Sequence, residues 1–172
     1  MMNVNKYEIF YSDKSCPILT PTETYNLDIE WEDYPFPKYG VAQALYECTH
    51  LNDYDVEHGY IVALNENEEI LGFIEFCDND ENEVGINEKE VIIFLVMIGA
   101  SSFIFCHNHP IAPGEKEEWF VTPSINDVRF MGNLFKISDL LKIEFIESLI
   151  FTKTCWISMW EGGKTNAYLE RN

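Results

Sequence analysis

"FIFCHNHPIA", residues 103–112, runs apolar through Cys106, then presents His107 and His109 one residue apart, and closes on Pro110. Only four histidines occur in the 172 residues, and two of them stand here. In an extended strand, residues i and i+2 point to the same face, so His107 and His109 converge on one point while Asn108 faces away. Pro110 stops the strand and leaves the pair at its exposed end. Zinc bonds imidazole nitrogen tetrahedrally at roughly 2.0–2.1 Å, and a same-face pair supplies two of the four ligands. Two polar residues closing a strand would look the same, so the pair needs support from elsewhere.

That support lies in "TPSINDVRF", residues 122–130. Asp127 falls in the first turn of a helix marked by Val128, Phe130, Met131, Leu134, Phe135, Ile137 and Leu141, where its carboxylate can turn back toward the strand end as a third ligand. Ser124 with Asp127 three residues later is also an N-terminal capping box, useful to any helix, and the two roles are compatible. Two histidines and one carboxylate leave a fourth position open, the arrangement of a catalytic rather than a structural zinc.

Around this core the pattern alternates strands and helices. Residues 6–11 read as a short strand. The Pro-, Thr- and aromatic-rich "PILTPTETYNLDIEWEDYPFP" (17–37) reads as an irregular surface arm. Val41, Ala44, Leu45, Cys48 and Leu51 recur at helical spacing from Tyr39 to Leu51. "GYIVALNENEEILGFIEF" reads as a hairpin turning at Asn65–Glu69, and "CDNDENEVG" as a solvated acidic loop. Asn87 with Glu90, and then Gly99, bracket a buried helix over 88–98. Further strands are expected near 143–151 and 154–160. The order β-α-β-β-α-β-α-β-β predicts a single mixed α/β or α+β domain with helices packed on a sheet.

Composition bounds the function. Hydrophobic residues make up 47% of the chain, enough for a substantial core. Thirty acidic against eleven basic residues give a formal charge of −19, which disfavours nucleic acid as a partner. Five cysteines form no C-x-x-C pair, so a reduced cytoplasm is the simplest location. The start, MMNVNKYEIF, lacks the pattern of a signal peptide, and the longest apolar run is too short to span a bilayer.

His107-Asn108-His109-Pro110 followed by Ser124-Ile125-Asn126-Asp127 resembles the JAB/MPN metalloprotease (JAMM) motif, HxHP, a spacer, then SxxD. The wording HNHP, the preceding "NEKEV" and "GASSFIFC", and the later "LFKISDLLKIEFIESLIF" look like its RadC-type branch. The resemblance runs from about Tyr39 to Gly163. It implies a JAB/MPN-like domain over 39–163, with a curved mixed β-sheet packed between helices in a cytidine-deaminase-like architecture. An irregular strand and arm (1–38) would precede it and a polar tail (164–172) follow. It further implies Zn2+ held by His107, His109 and Asp127, with Ser124 steadying an oxyanion. A glutamate general base is implied where the first helix gives way to the next strand. "DVEHGYIVALN" matches that place, so Glu57 is chosen, with Glu75 in "LGFIEF" as the rival and Glu69 assigned to the hairpin turn. The implied reaction is hydrolysis of an amide or isopeptide bond in a peptide or protein substrate, a ubiquitin-like conjugate among the candidates.

The chain departs from the pattern in places. Thirteen residues separate Pro110 from Ser124, longer than the family's spacer, and they carry Glu115, Glu117, Glu118, Trp119 and Phe120 as substrate grip, lid or simple loop packing. Ile111-Ala112 stands where RadC-type chains commonly carry a glycine. Residues 1–38 are read as too short and irregular for the helical N-terminal segment of full RadC proteins. His50 is expected to end the first helix, and His58 to turn away from the site. Three other functions stay open: a RadC-like DNA-processing factor or nuclease, a non-catalytic MPN-like module that binds a protein, and an acidic decoy for a basic protein.

Overall fold

A sequence that alternates short apolar runs with two-sided polar turns builds its sheet from many strands, and the computed structural model has eight in one mixed sheet. It describes residues 2–29, 34, 36–77, 86–111, 114, 122–159 and 165–168. In chain order the elements are β1 (Met2–Tyr11), β2 (Pro17–Leu27), α1 (Pro37–Thr49), β3 (His58–Leu64), β4 (Ile70–Cys77), α2 (Glu88–Ile98), β5 (Ser102–Asn108), α3 (Ile125–Leu141), β6 (Glu144–Phe151), β7 (Cys155–Ser158) and β8 (Thr165–Tyr168). Across the sheet the strands run β2-β1-β4-β3-β5-β6-β7-β8. The β3–β5 pair is antiparallel and the β5–β6 pair parallel, the latter joined through α3.

Alternation along the central strands divides the core into two layers. Tyr60, Val62, Ile104, Cys106, Leu149 and Phe151 pack on the side of α1, against its Val41, Leu45 and Cys48. Ile61, Ala63, Phe103, Phe105 and Phe145 pack on the other side, against Phe94 and Leu95 of α2 and Leu134 and Ile137 of α3. All seven residues of β5 are buried, as expected of a strand covered on both faces. No described helix is long and apolar enough to cross a membrane.

The boundaries of α2 fall where the spacing predicts, with the Asn87 side chain meeting the N–H of Lys89 in place of that of Glu90. Gly99 ends α2 in the left-handed conformation at φ 74°. His50 closes α1, also left-handed. That helix starts at Pro37, ahead of the expected Tyr39, because proline is accommodated in a helix's first turn.

Two expectations need correction. Residues 17–27 are a strand, not an irregular arm, and they pair along their length with β1. Proline is excluded from central strands, but β2 lies at the sheet edge. Pro17 is its first residue, and Pro21 faces Tyr7 where the register shifts. The polar stretch 164–172 likewise contains β8, paired to β7. The acidic linker at 78–85 and residues 112, 113 and 115–121 of the long spacer, with Glu115, Glu117, Glu118, Trp119 and Phe120, lie outside the described residues.

β1 docks on β4 in parallel at Gly72, where the approach is too close for a side chain. A Cβ there would sit 2.5 Å from the Tyr7 ring and 2.8 Å from the Asn5 carbonyl oxygen, at φ +154°. Gly72→Ala is expected to lower stability by roughly 1–3 kcal/mol, the cost of overpacking. A lower urea midpoint with unchanged slope would show it, and an unchanged midpoint would refute it.

Candidate metal centre

The register of β3 on β5 places Gly59 opposite His107. His107 therefore shares the α3-facing side with Phe105, whose ring it stacks on at 5.1 Å between centroids. Past the strand end, the His109 backbone N–H still donates to the Phe151 carbonyl at 2.8 Å, so the second imidazole keeps the pleat of the first. Two residues before Gly59, Glu57 comes up on the same side. Ser124 and Asp127 approach from the N-terminus of α3.

The side chains meet. The Nε2 atoms of His107 and His109 lie 3.1 Å apart. Asp127 Oδ1 is 3.2 Å from His107 Nε2, and Asp127 Oδ2 is 3.4 Å from His109 Nε2. A tetrahedral ion with bonds near 2.0–2.1 Å sets its ligand atoms about 3.3–3.4 Å apart, so these three separations suit one centre. A carboxylate oxygen of Glu57 completes a group whose donor atoms all lie within 4.8 Å of one another. Two imidazole nitrogens and two carboxylates converging in this way form a group that could hold a cation, and nitrogen with oxygen donors suits a borderline metal ion.

His107 and Asp127 are buried, while His109 keeps partial exposure, so the group is anchored inside and open at its rim. His107 Nδ1 finds no hydrogen-bond partner among the described residues. Burial alone would push the Asp127 carboxyl up. Hydrogen bonds from His107, His109 and Ser124 outweigh it and hold the group well below the usual carboxylate range.

The capping box is fully formed. The Ser124 N–H donates to Asp127 Oδ2 at 2.6 Å, and the Asp127 N–H donates to Ser124 Oγ at 3.1 Å. One carboxylate thus caps α3 and faces both imidazoles. Ser124 Oγ accepts the Asp127 N–H, which leaves its own proton to donate elsewhere.

Glu75 is not part of this group. It stands opposite Tyr60, on the α1 side of the sheet, and bonds Lys6, Tyr60 and His58 there. His58 does turn away from the site, to Glu75 at 2.7 Å. Glu69 lies in the hairpin turn, taking the Asn65 side-chain amide at 2.7 Å.

Asn108 is the residue that the spacing left without a task. It faces away from the metal group, and it is 1% exposed. Its Oδ1 accepts the His58 backbone N–H at 2.7 Å, and its Nδ2 donates to the Val56 and Tyr54 carbonyls at 3.0 and 3.5 Å. The residue between the two histidines therefore ties the segment bearing Glu57 to the strand bearing the imidazoles. Its partners lie about fifty positions upstream, beyond the reach of any local pattern.

Comparison with known proteins agrees with this geometry. A model of the RadC-like JAB domain matches residues 40–164. The chain belongs to the RadC-like JAB domain family. Among curated proteins of this RadC-like kind, it is 24% identical over 158 residues to a UPF0758 protein of Clostridium acetobutylicum, covering 92% of this chain and 58% of the relative. It is 29% identical over 103 residues to a UPF0758 protein of Carboxydothermus hydrogenoformans, covering 60% of this chain and 42% of the relative. For that of Finegoldia magna the identity is 26% over 115 residues, 67% of this chain and 48% of the relative. The chain spans about half the length of the curated relatives it matches.

Asn108→Ala removes both halves of the tie and leaves the His58 N–H without its acceptor. We expect a loss of about 1–3 kcal/mol, the cost of leaving buried polar groups unpaired. Faster amide hydrogen exchange over 54–58 than over β5 would locate the effect. Uniform exchange in both segments would show that the tie is not local.

Proposed function

We propose that this RadC-like JAB domain is a zinc-dependent hydrolase that cleaves amide or isopeptide bonds in peptide or protein substrates. The observation that carries the reading is the convergence of His107, His109 and Asp127 at 3.1 to 3.4 Å, near the spacing of ligands around one tetrahedral ion, with a Glu57 oxygen within 4.8 Å of them. His107, His109 and Asp127 would hold the metal, and Glu57 would face the fourth corner as the base rather than as a ligand. Bound there, zinc would supply Lewis acidity and lower the pKa of a water toward about 7.

The protein groups then have defined tasks. Glu57 takes a proton from the attacking water and returns it to the leaving amine, a transfer that needs one carboxylate within reach of both atoms. The Ser124 hydroxyl, held by the Asp127 N–H, donates to the carbonyl oxygen as negative charge builds on it. Asp127, kept ionised by its neighbours, stays a ligand while protons move around it. A formal charge of −19 favours a protein or peptide substrate over nucleic acid. A nuclease would hold DNA with salt-dependent affinity, and such binding at low salt would redirect the assignment.

Metal analysis after purification without chelators tests the ligands. The parent is expected to carry one zinc per chain and the Asp127→Ala variant much less. Equal metal in both, or none in the parent, removes the basis of the reading. The base is tested separately: Glu57→Gln should keep the metal and lose at least about a hundredfold in peptide hydrolysis, the contribution of general-base catalysis. Full activity in Glu57→Gln would overturn its role.

A further inference from the structure

On the other side of the sheet, three side chains stand in the order nucleophile, base and orienting acid. Cys77 ends β4 directly opposite His58, the first residue of β3. Its Sγ lies 3.6 Å from His58 Nε2, and His58 Nδ1 lies 2.7 Å from Glu75 Oε1. The imidazole is held flat by the Tyr54 ring, stacked at 4.1 Å and 18°. Glu75 is fixed in turn by Lys6 Nζ at 2.5 Å and Tyr60 OH at 2.6 Å.

This chain of contacts sets the tautomer. Burial alone would push the Glu75 carboxyl up, but hydrogen bonds from Lys6, Tyr60 and His58 hold it below its ordinary value. An ionised carboxylate only accepts hydrogen bonds, so His58 Nδ1 carries the ring proton and Nε2 turns its lone pair toward the thiol. A nucleophile within reach of a base that a third group orients is the arrangement that activates cysteine.

The other cysteines stand in different surroundings. Cys48, Cys106 and Cys155 are buried. Burial pushes the Cys48 thiol up to about 12 and raises Cys106 as well. Cys16 is exposed, as Cys77 is, but its sulfur meets the Lys14 carbonyl at 3.9 Å rather than an imidazole.

We propose that Cys77 is a nucleophilic thiol, activated by His58 and Glu75, that forms mixed disulfides with small disulfides. In the step, the thiol gives its proton to His58 Nε2, and the thiolate attacks one sulfur of the reagent. The reagent's S–S bond breaks as the new bond to Cys77 Sγ forms. The leaving thiolate takes the proton from His58. Cys77 is oxidised, and half of the small disulfide is released as a reduced thiol. The site needs no metal and stands apart from the hydrolytic reading.

The test uses the full chain with chelator present, so that the metal group plays no part. Limiting iodoacetamide and, separately, glutathione disulfide are applied, and mass spectrometry follows Cys77 and Cys16 in the same molecules. Near neutral pH, Cys77 should react roughly tenfold faster than Cys16, as for a thiol whose pKa is lowered by a neighbouring imidazole. His58→Asn should bring Cys77 down to the rate of Cys16. Equal rates in the parent, or an undiminished Cys77 rate in a folded His58→Asn, would overturn the proposal. If that variant fails to fold, the parent's rate–pH profiles decide. A lower midpoint for Cys77 than for Cys16 supports the assignment, and a shared midpoint sinks it.

Discussion

The registration of β3 against β5 governs which side chains can meet, because a strand's faces alternate at every residue. With Gly59 opposite His107, the positions 57, 59 and 61 share a side with 105, 107 and 109. A slip by one residue would send Glu57 to the α1 layer and bring His58 to the imidazoles. The same slip would turn Ile61 and Ala63 out of the α2–α3 layer and Tyr60 and Val62 out of the other, so the packing of both layers resists it. The Asn108 hydrogen bonds clamp the register at the end where it matters, three contacts made by the residue between the two histidines.

Helix α3 supplies the remaining donor. Its hydrophobic face, through Leu134 and Ile137, seats it on the sheet, and its capping box aims Asp127 across the gap. The Ser124 cap that starts the helix adds to the larger effect of His107 and His109 in holding the Asp127 carboxyl ionised. Packing, capping and the donor geometry are thus one arrangement. The group is buried on its His107 side and partly exposed at Glu57 and His109.

What could be read in advance follows how far each determinant reaches along the chain. The i, i+2 histidines, the Ser124–Asp127 cap and the Asn87 and Gly99 boundaries of α2 depend on a few adjacent residues, and each is where the spacing puts it. Strand β2 was hidden because its prolines look like loop signals unless the segment is known to lie at an edge. Glu57 and Glu75 could not be separated by inspection, since the side each faces depends on pairing between strands distant in sequence. Once Glu75 is seen opposite Tyr60, parity alone excludes it from the metal group. Asn108 was legible as facing away, but its partners lie near residue 56 and carry no local signature.

The prolines of β2 also bear on what the edge of the sheet offers a neighbouring strand. An outermost strand exposes a row of amide and carbonyl groups that another molecule can extend, the route by which sheets fuse into aggregates. Proline carries no amide hydrogen to offer such a neighbour, and the register shift beside Tyr7 breaks the regularity a neighbouring strand would need. A residue type that disguised the strand in the sequence leaves it a poor template for polymerisation.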